Sequence, residues 1–350
     1  MGTLFVKTLR ESTGMGMRDI LDFIEPRRDA RIAVVSHQRP DGDAAGSAWG
    51  MAWILRALGA DARPVNISPV PPNLGFLVDP EIDAVHPDEA WPTLFDAMIV
   101  LDCGEWQRLD ARSLVAEGKL PTANIDHHAT SSGVGEARWI EADASSTSEM
   151  IVRLADAAGW PVSPSAALAL WIGIVTDTGR FSYENSTAAA LEAAAACVRN
   201  GADPAAAATR IYQSSTRSEL ALRLRVMEHM EFQQNGRLAT SWLSRSDFAE
   251  SGVGVEGVQD LINIIRDVDG VEAAALFYET PARDGVKVSL RTRAPHDATA
   301  LATIHGGGGH RRAAGCTVNG ALDDVRHTVT GKMTQLWFAP SQYTGRGPKL

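Results

Sequence analysis

The sequence predicts a two-domain α/β protein: an N-terminal domain with a mostly parallel sheet flanked by helices, a helical connector, and a smaller C-terminal α/β domain. Three observations carry this. Apolar runs typical of buried strands alternate with segments of helical period over residues 18–186. Residues 187–235 are alanine-rich and helical in pattern. From 236 to 338 short strand patterns return, interleaved with helices. A chain of 350 residues with 45% hydrophobic residues is long enough for two separate cores.

Residues 1–17 have no long apolar stretch and no cleavage-like end, and they are expected to form a loose terminus. The first helix falls at 18–24. The run R-I-A-V-V-S at 31–36 reads as a buried strand, and 43–58 carries apolar residues at helical spacing. Further strands are expected at 97–101 and 122–125, with helices at 146–158 and 165–175. In the connector, Gly201 can end one helix and Asp203 can cap the next. Strands at 237–243, 271–278 and 286–291, with helices at 255–268 and 297–303, make the second domain. The polar tail 339–350 is expected to be loose.

Four short segments place carboxylates or imidazoles just after apolar runs: H-Q-R-P-D-G-D at 37–43, V-L-D-C-G at 100–104, N-I-D-H-H at 124–128 and G-I-V-T-D-T-G at 173–179. Ligands of open α/β sheets gather outside the carboxyl ends of the strands, where these residues are expected to fall. His37, Asp41, Asp43, Asp102, His127 and Asp177 offer four carboxylates and two imidazoles, a donor set suited to two divalent ions. Pro40 restricts the backbone and Gly42 permits the tight path that turns Asp41 and Asp43 into one site. Two divalent ions balance four carboxylates, so a phosphate can enter without facing excess negative charge. Alone, an Asp-x-Asp loop more often marks a turn or a helix cap; four such segments together point to metal-assisted phosphoester hydrolysis.

Bulk properties narrow the substrate. A formal net charge of −10 argues against tight binding of long duplex DNA, which needs a broad basic surface, and favours a short or single nucleotide. Cys103, Cys197 and Cys316 form neither a C-x-x-C pair nor an even set, which points to a reducing cytoplasm. No apolar run reaches membrane-spanning length, so no membrane partner is expected. The alanine-rich connector suits a homodimer contact as readily as an intramolecular one.

With these motifs in order, the chain resembles the DHH phosphoesterase superfamily, named for a triplet matched here by Asp126, His127 and His128, and the resemblance covers nearly the whole length. It implies that the six residues above bind two Mn(II)-type ions, with Mg(II), Co(II) and Fe(II) as competitors for a mixed Asp and His set. It also implies that His128 meets the phosphate or moves a proton, and that Asp126 orients the neighbouring imidazoles.

The segment I-H-G-G-G-G-H-R-R-A-A-G at 304–315 resembles the glycine-rich motif of the DHHA1 domain, so 18–186 is read as the DHH domain and 236–338 as DHHA1. Gly307, Gly308 and Gly309 can present backbone N–H groups to an anion, with His310 beside them. S-L-R-T-R, with Ser289 and Arg291, resembles a substrate-contacting strand of that domain. Length and domain order look most like the bifunctional oligoribonuclease and pAp phosphatase group. That implies short single-stranded RNA, pAp or a dinucleotide as substrate, with RNA degraded to mononucleotides and the 3′-phosphate of pAp removed. A cyclic-dinucleotide phosphodiesterase acting on c-di-AMP or pApA uses the same metal motifs. A nucleotide-binding regulatory module without turnover is the non-enzymatic reading.

Overall fold

The computed structural model describes residues 15–65, 68–82, 94–109, 118–258, 261–280 and 285–338. Of the two termini expected to be loose, 1–14 and 339–350 lie outside these residues. The first helix, α1 (Met15–Ile24), starts inside the first of them and buries Met17 in the core.

By chain contacts the protein divides into two units, Met1–Ser214 and Ser215–Leu350. The first is built on five parallel strands, β1 (Arg31–Val35), β2 (Asp61–Val65), β3 (Ala97–Leu101), β4 (Thr122–Asp126) and β5 (Ala137–Ile140), in the order β2-β1-β3-β4-β5. β3 and β4 are buried along their whole length, which explains their continuous apolar runs: helices or loops cover both faces. The chain passes from β1 outward to β2, then back across β1 to β3. The sheet's topological switch point therefore lies between β1 and β3, and the segments after both strands meet there. β2 and β5 are edge strands whose mixed patterns, D-A-R-P-V and A-R-W-I, carry no strong strand signal in sequence.

Two helices pack as the centre of this unit, α2 (Gly42–Ala57) and α4 (Pro164–Asp177), with α3 (Thr147–Ala158) beside them. Glycine sets their separation. A Cβ on Gly46 would stand 2.4 Å from the Ala169 carbonyl oxygen. One on Gly173 would stand 2.0 Å from Ser148 Oγ and 2.6 Å from Asp43 Oδ1. The close approach of α2, α3 and α4 thus requires bare backbone where they face the carboxylate of Asp43. Two further helices complete the unit, α5 (Ala188–Arg199) and α6 (Pro204–Tyr212); Asp203 caps α6 by accepting from the Ala205 and Ala206 amides.

The second unit opens with α7 (Arg217–Glu228) and a six-stranded sheet. Its strands are β6 (Glu231–Gln233), β7 (Leu238–Leu243), β8 (Ala273–Glu279), β9 (Val286–Thr292), β10 (Gly308–His310) and β11 (Ala313–Val318), in the order β10-β11-β9-β8-β7-β6. Every neighbouring pair is antiparallel except β7 with β8. Val286, Val288 and Leu290 of β9 face a core completed by α11 (Leu322–Met333) and by α10 (Ala298–Ala302). On the opposite face, α7, α8 (Arg245–Ser251) and α9 (Leu261–Arg266) cover β7 and β8. The expected helix 255–268 is instead a 3-10 turn at Val255–Val258 followed by α9.

Candidate metal centre

Five of the six expected ligands sit where β1, β3 and β4 end. His37 and Asp41 follow β1, Asp102 follows β3, and His127 follows β4. Asp41 is also the N-cap of α2, its Oδ1 accepting the Asp43 amide at 3.1 Å and the Ala44 amide at 3.0 Å. Asp43 lies in the first turn of that helix. Asp177 departs from the strand-end pattern: it is the last residue of α4, and helix packing rather than the sheet brings it in.

Asp102 is the hub. Its backbone takes φ 56°, the left-handed region that few L residues adopt, and this turns its side chain back as the chain leaves β3. Asn124 on β4 fixes the same turn, donating from Nδ2 to the carbonyls of Val100 at 3.0 Å and Cys103 at 3.1 Å. His37 Nε2 lies 3.5 Å from Asp102 Oδ2. His127 Nε2 and His128 Nδ1 each lie 3.5 Å from Oδ1. His127 Nδ1 pairs with the Ala144 carbonyl at 3.3 Å, which aims Nε2 at Asp177 (3.4 Å), Asp102 (3.5 Å) and Asp43 (3.9 Å).

These separations exceed the roughly 2.7–2.9 Å of a charge-assisted hydrogen bond, as expected of donors arranged to share an ion. His37, Asp41 and Asp102 form one trio of mutually close donor atoms, and Asp43, Asp102 and His127 form a second. Asp102 belongs to both, and to a third with Asp126 and His128. Oxygen and imidazole nitrogen in this proportion fit hard or borderline divalent cations, which these residues would hold. Orphaned polar atoms close by, Asp126 Oδ2, Ser145 Oγ and Ser148 Oγ, are buried without a protein hydrogen-bond partner, which agrees with a site that takes polar guests.

One supporting element was not visible as such in the motifs. α3 points its N-terminus at Asp43: the amides of Thr147 and Ser148 donate to Oδ2 at 2.7 Å and to Oδ1 at 3.0 Å. Thr147 Oγ1 also donates to Asp102 Oδ1 at 3.3 Å. Ser146 caps the helix by accepting from the Glu149 amide, and the buried Glu149 carboxylate accepts the Ser145 amide at 2.8 Å. Ser146-x-x-Glu149 is the spacing of a capping box, which marks a helix start, and helix starts bind anions. Here the anion is the Asp43 carboxylate, one of the expected ligands, so the signal was in the sequence but its target was not.

The second histidine of the triplet is held differently. His128 Nδ1 sits 2.7 Å from Asp126 Oδ1, and its backbone amide donates to the same oxygen at 3.2 Å. Asp126 thus fixes the ring that follows it, while His127 is aimed by Ala144.

Electrostatics follow from crowding. Burial works against a charged His37, but hydrogen bonding to Asp102 and the charge of Asp41 win, raising its pKa to about 9. His127 is likewise pulled down by burial, yet Asp177, Asp102 and Asp43 lift it well above the ordinary imidazole value. Burial and the charge of Asp102 push Asp43 up to about 7. Burial, with Asp43, Asp41 and Asp102, pushes Asp177 up to about 8 against the pull of His127. Asp102 alone stays well below the ordinary carboxylate range: its imidazole neighbours, first His127 and then His37, outweigh burial. Crowding thus favours the protonated forms of His37, His127, Asp43 and Asp177, protons that a cation taken up there would displace.

In the second unit, Ser289 and Arg291 lie on the face of β9 opposite its core residues, and directly opposing residues of an antiparallel pair share a face. Arg291 pairs with Ala313, which pairs with His310. Ser289 pairs with Gly315, which pairs with Gly308. The strands thus bring Ser289, Arg291, Gly308 and His310 to one face. Gly307 precedes β10, and its amide already donates to the Ala302 carbonyl at 2.9 Å. Gly309 takes φ 137°, and a Cβ there would stand 2.5 Å from the Ala313 carbonyl oxygen, so this segment requires glycine to pair so closely.

Comparison with known proteins places these features together. The description "DHH family, N-terminal domain" matches residues 31–174, and "DHHA1 domain" matches 235–335. A bifunctional oligoribonuclease and PAP phosphatase NrnA from Thermus thermophilus is 32% identical over 88% of this chain and 91% of its own. The protein of that name from Bacillus subtilis is 28% identical over 82% and 89%. Among solved structures, an exopolyphosphatase-related protein from Bacteroides fragilis superposes with TM-score 0.83 at 23% identity, covering 92% of this chain and 97% of its own. RecJ from Thermus thermophilus in complex with Mn2+ gives 0.57 at 15% identity, covering 92% of this chain and 55% of its own. The last two show the fold.

Proposed function

We propose that this chain, which belongs to the DHH/DHHA1 phosphoesterase family, hydrolyses short oligoribonucleotides to mononucleotides and removes the 3′-phosphate of pAp. The observation that carries the reading is the pair of donor trios sharing Asp102 at the sheet's switch point, joined in one chain to a glycine-rich face bearing Arg291 and His310. The relatives at 32% and 28% identity are named for both activities.

His37, Asp41 and Asp102 would hold one divalent ion, Asp43, Asp102 and His127 the other, with Asp177 beside His127. We assign Mn(II) to both positions, with Mg(II), Co(II) and Fe(II) as competitors. Two bound ions would supply an activated water and neutralise charge developing on the phosphoryl oxygens. The protein's own part is positioning and proton control. The α3 amides fix Asp43 and Thr147 fixes Asp102, so the ligands are set before substrate arrives. Burial opposes a charged His128, but its bond to Asp126 and the charge of Asp102 keep the ring's pKa raised. A protonated His128 suits contact with a phosphoryl oxygen and proton delivery to the departing oxygen. Ser289, Arg291, Gly308, Gly309 and His310 are assigned to substrate binding, through a guanidinium, an imidazole and backbone donors matched to phosphate; Gly307, its amide already bonded to Ala302, serves by its lack of a Cβ, which would stand 2.1 Å from the Gly315 carbonyl oxygen.

Three buried free cysteines, Cys103, Cys197 and Cys316, suit a cytoplasmic enzyme. Among the described residues no helix is long and apolar enough to cross a membrane. The test is turnover by the purified protein with Mn(II) on ribonucleotides of two to five residues, pAp, pApA and c-di-AMP. Mononucleotides from the short RNAs and phosphate from pAp, faster than cleavage of c-di-AMP, are expected. Failure to turn over short RNA or pAp with any of the four metals would overturn the assignment.

A further inference from the structure

We infer that Lys287 forms a second phosphate subsite, making the β9 face read more than one nucleotide of an RNA substrate. The inference rests on the functional reading above and deepens it by naming which substrates depend on this residue. Lys287, Ser289 and Arg291 alternate with the buried Val286, Val288 and Leu290, so all three project from the face that α10 and α11 leave uncovered. Across the same face Lys287 is flanked by Thr317 on β11 and Tyr278 on β8, its direct register partners.

Lys287 is set up as a binding cation. Its Nζ donates to Thr317 Oγ1 at 2.7 Å, which steadies a long side chain without neutralising it. No described carboxylate forms an ion pair with it, whereas Arg237, Arg245 and Arg326, also on this unit, each hold a glutamate. Residues two apart on a strand are about 7 Å apart, so Arg291 and Lys287 are separated by about 14 Å, with Ser289 between them. Lys287 Nζ is held at Thr317 and Arg291 Nη1 at the Leu290 carbonyl, so the two cations suit successive phosphates of one backbone rather than a single one. Tyr278, in the same row on β8, is half-buried with its ring 6.5 Å from that of Phe248, among the side chains that the helices pack on β8.

The test is binding of fluorescein-labelled ribonucleotides of two, three and five residues to the full chain without metal, by anisotropy across a salt series, for wild type, Lys287→Met and Lys287→Arg. Lys287→Met is expected to weaken the pentanucleotide by about tenfold, a larger loss than for the dinucleotide, and to lower the slope of log affinity against log salt by about 0.7, one single-strand phosphate contact. Lys287→Arg should restore both affinity and slope. Equal losses at every length, or an unchanged salt slope, would overturn the subsite. Wild-type protein that binds no pentaribonucleotide would overturn the subsite, whereas failure to turn over short RNA or pAp with Mn(II) would overturn the functional reading itself. Thermal melting of each variant separates loss of contact from loss of fold.

Discussion

The proposed metal centre and the β9 face solve different problems. Around Asp102 the side chains are buried or nearly so and held by fixed partners: Asp43 accepts two helix amides, His127 is aimed by a carbonyl and His128 by a carboxylate. On the β9 face the side chains are half-buried and at the surface of the sheet. Arg291 donates to the backbone carbonyl of its own neighbour Leu290 at 3.0 Å, and Lys287 to a single hydroxyl. Chemistry at fixed ions gains from donors that cannot move, because misplacement of a ligand weakens stabilisation of the transition state directly. Recognition of short, variable strands gains from cations that can adjust. The contrast predicts that damage to the first region appears in kcat and damage to the second in KM.

The largest effect is expected from Asp102→Ala, which removes a donor from both trios. Turnover of pAp and of a dinucleotide should fall on the order of a thousandfold or more while the far-ultraviolet circular dichroism is retained. A loss confined to KM would break the contrast. Next comes Arg291→Ala, expected to raise KM for short RNA about tenfold with kcat changed much less, measured by steady-state kinetics. A fall in kcat of the same size would place Arg291 in the chemistry instead. Thr147→Val keeps the amide bond to Asp43 and deletes only the hydroxyl to Asp102, so a loss of about fivefold in kcat, with a weaker Mn(II) requirement curve, is expected.

The smallest effect is on stability. Asp43, Asp177 and His37 have folded pKa values raised from 3.8 to about 7, from 3.8 to about 8, and from 6.5 to about 9. A raised folded pKa means that the native state keeps a proton the unfolded chain has released. The stability from each group is complete below its unfolded pKa and lost as pH rises through the folded one. The lowered pKa of Asp102 acts only below about pH 4, outside that window. Metal-free protein should therefore melt at progressively lower temperature from about pH 5 to pH 9, and Mn(II) should raise the melting temperature more at pH 8 than at pH 6. A flat profile by differential scanning fluorimetry would show that the carboxylates are not crowded as described.

The two regions also differ in how plainly the sequence displays them. Each metal-ligand segment is contiguous and follows an apolar run, so His37 to Asp43, Asp102 and the Asp126 to His128 triplet could be placed at element ends from pattern alone. Asp177 is legible as a residue, yet it enters the site only because its helix α4 approaches α2 and α3 closely at Gly173. The role of α3 was hidden because its target, Asp43, lies 104 residues away from Thr147. On the β9 face the sequence offered Ser289, Arg291 and His310 through a family likeness. The alignment of His310 with Arg291, and of Lys287 with Thr317 and Tyr278, is a matter of strand register, which local pattern does not encode for residues on different strands. The same limit explains the edge strands β2, β5 and β10, whose mixed or glycine-rich segments become strands only through their partners.

The central claim is that one carboxylate serves two ions. Isothermal titration of Mn(II) into metal-free protein at pH 8 tests it most directly, comparing wild type with Asp102→Ala and Asp41→Ala. Two equivalents are expected for wild type, one for Asp41→Ala, and no tightly bound ion for Asp102→Ala. Two equivalents retained by a folded Asp102→Ala protein would contradict the shared-ligand centre.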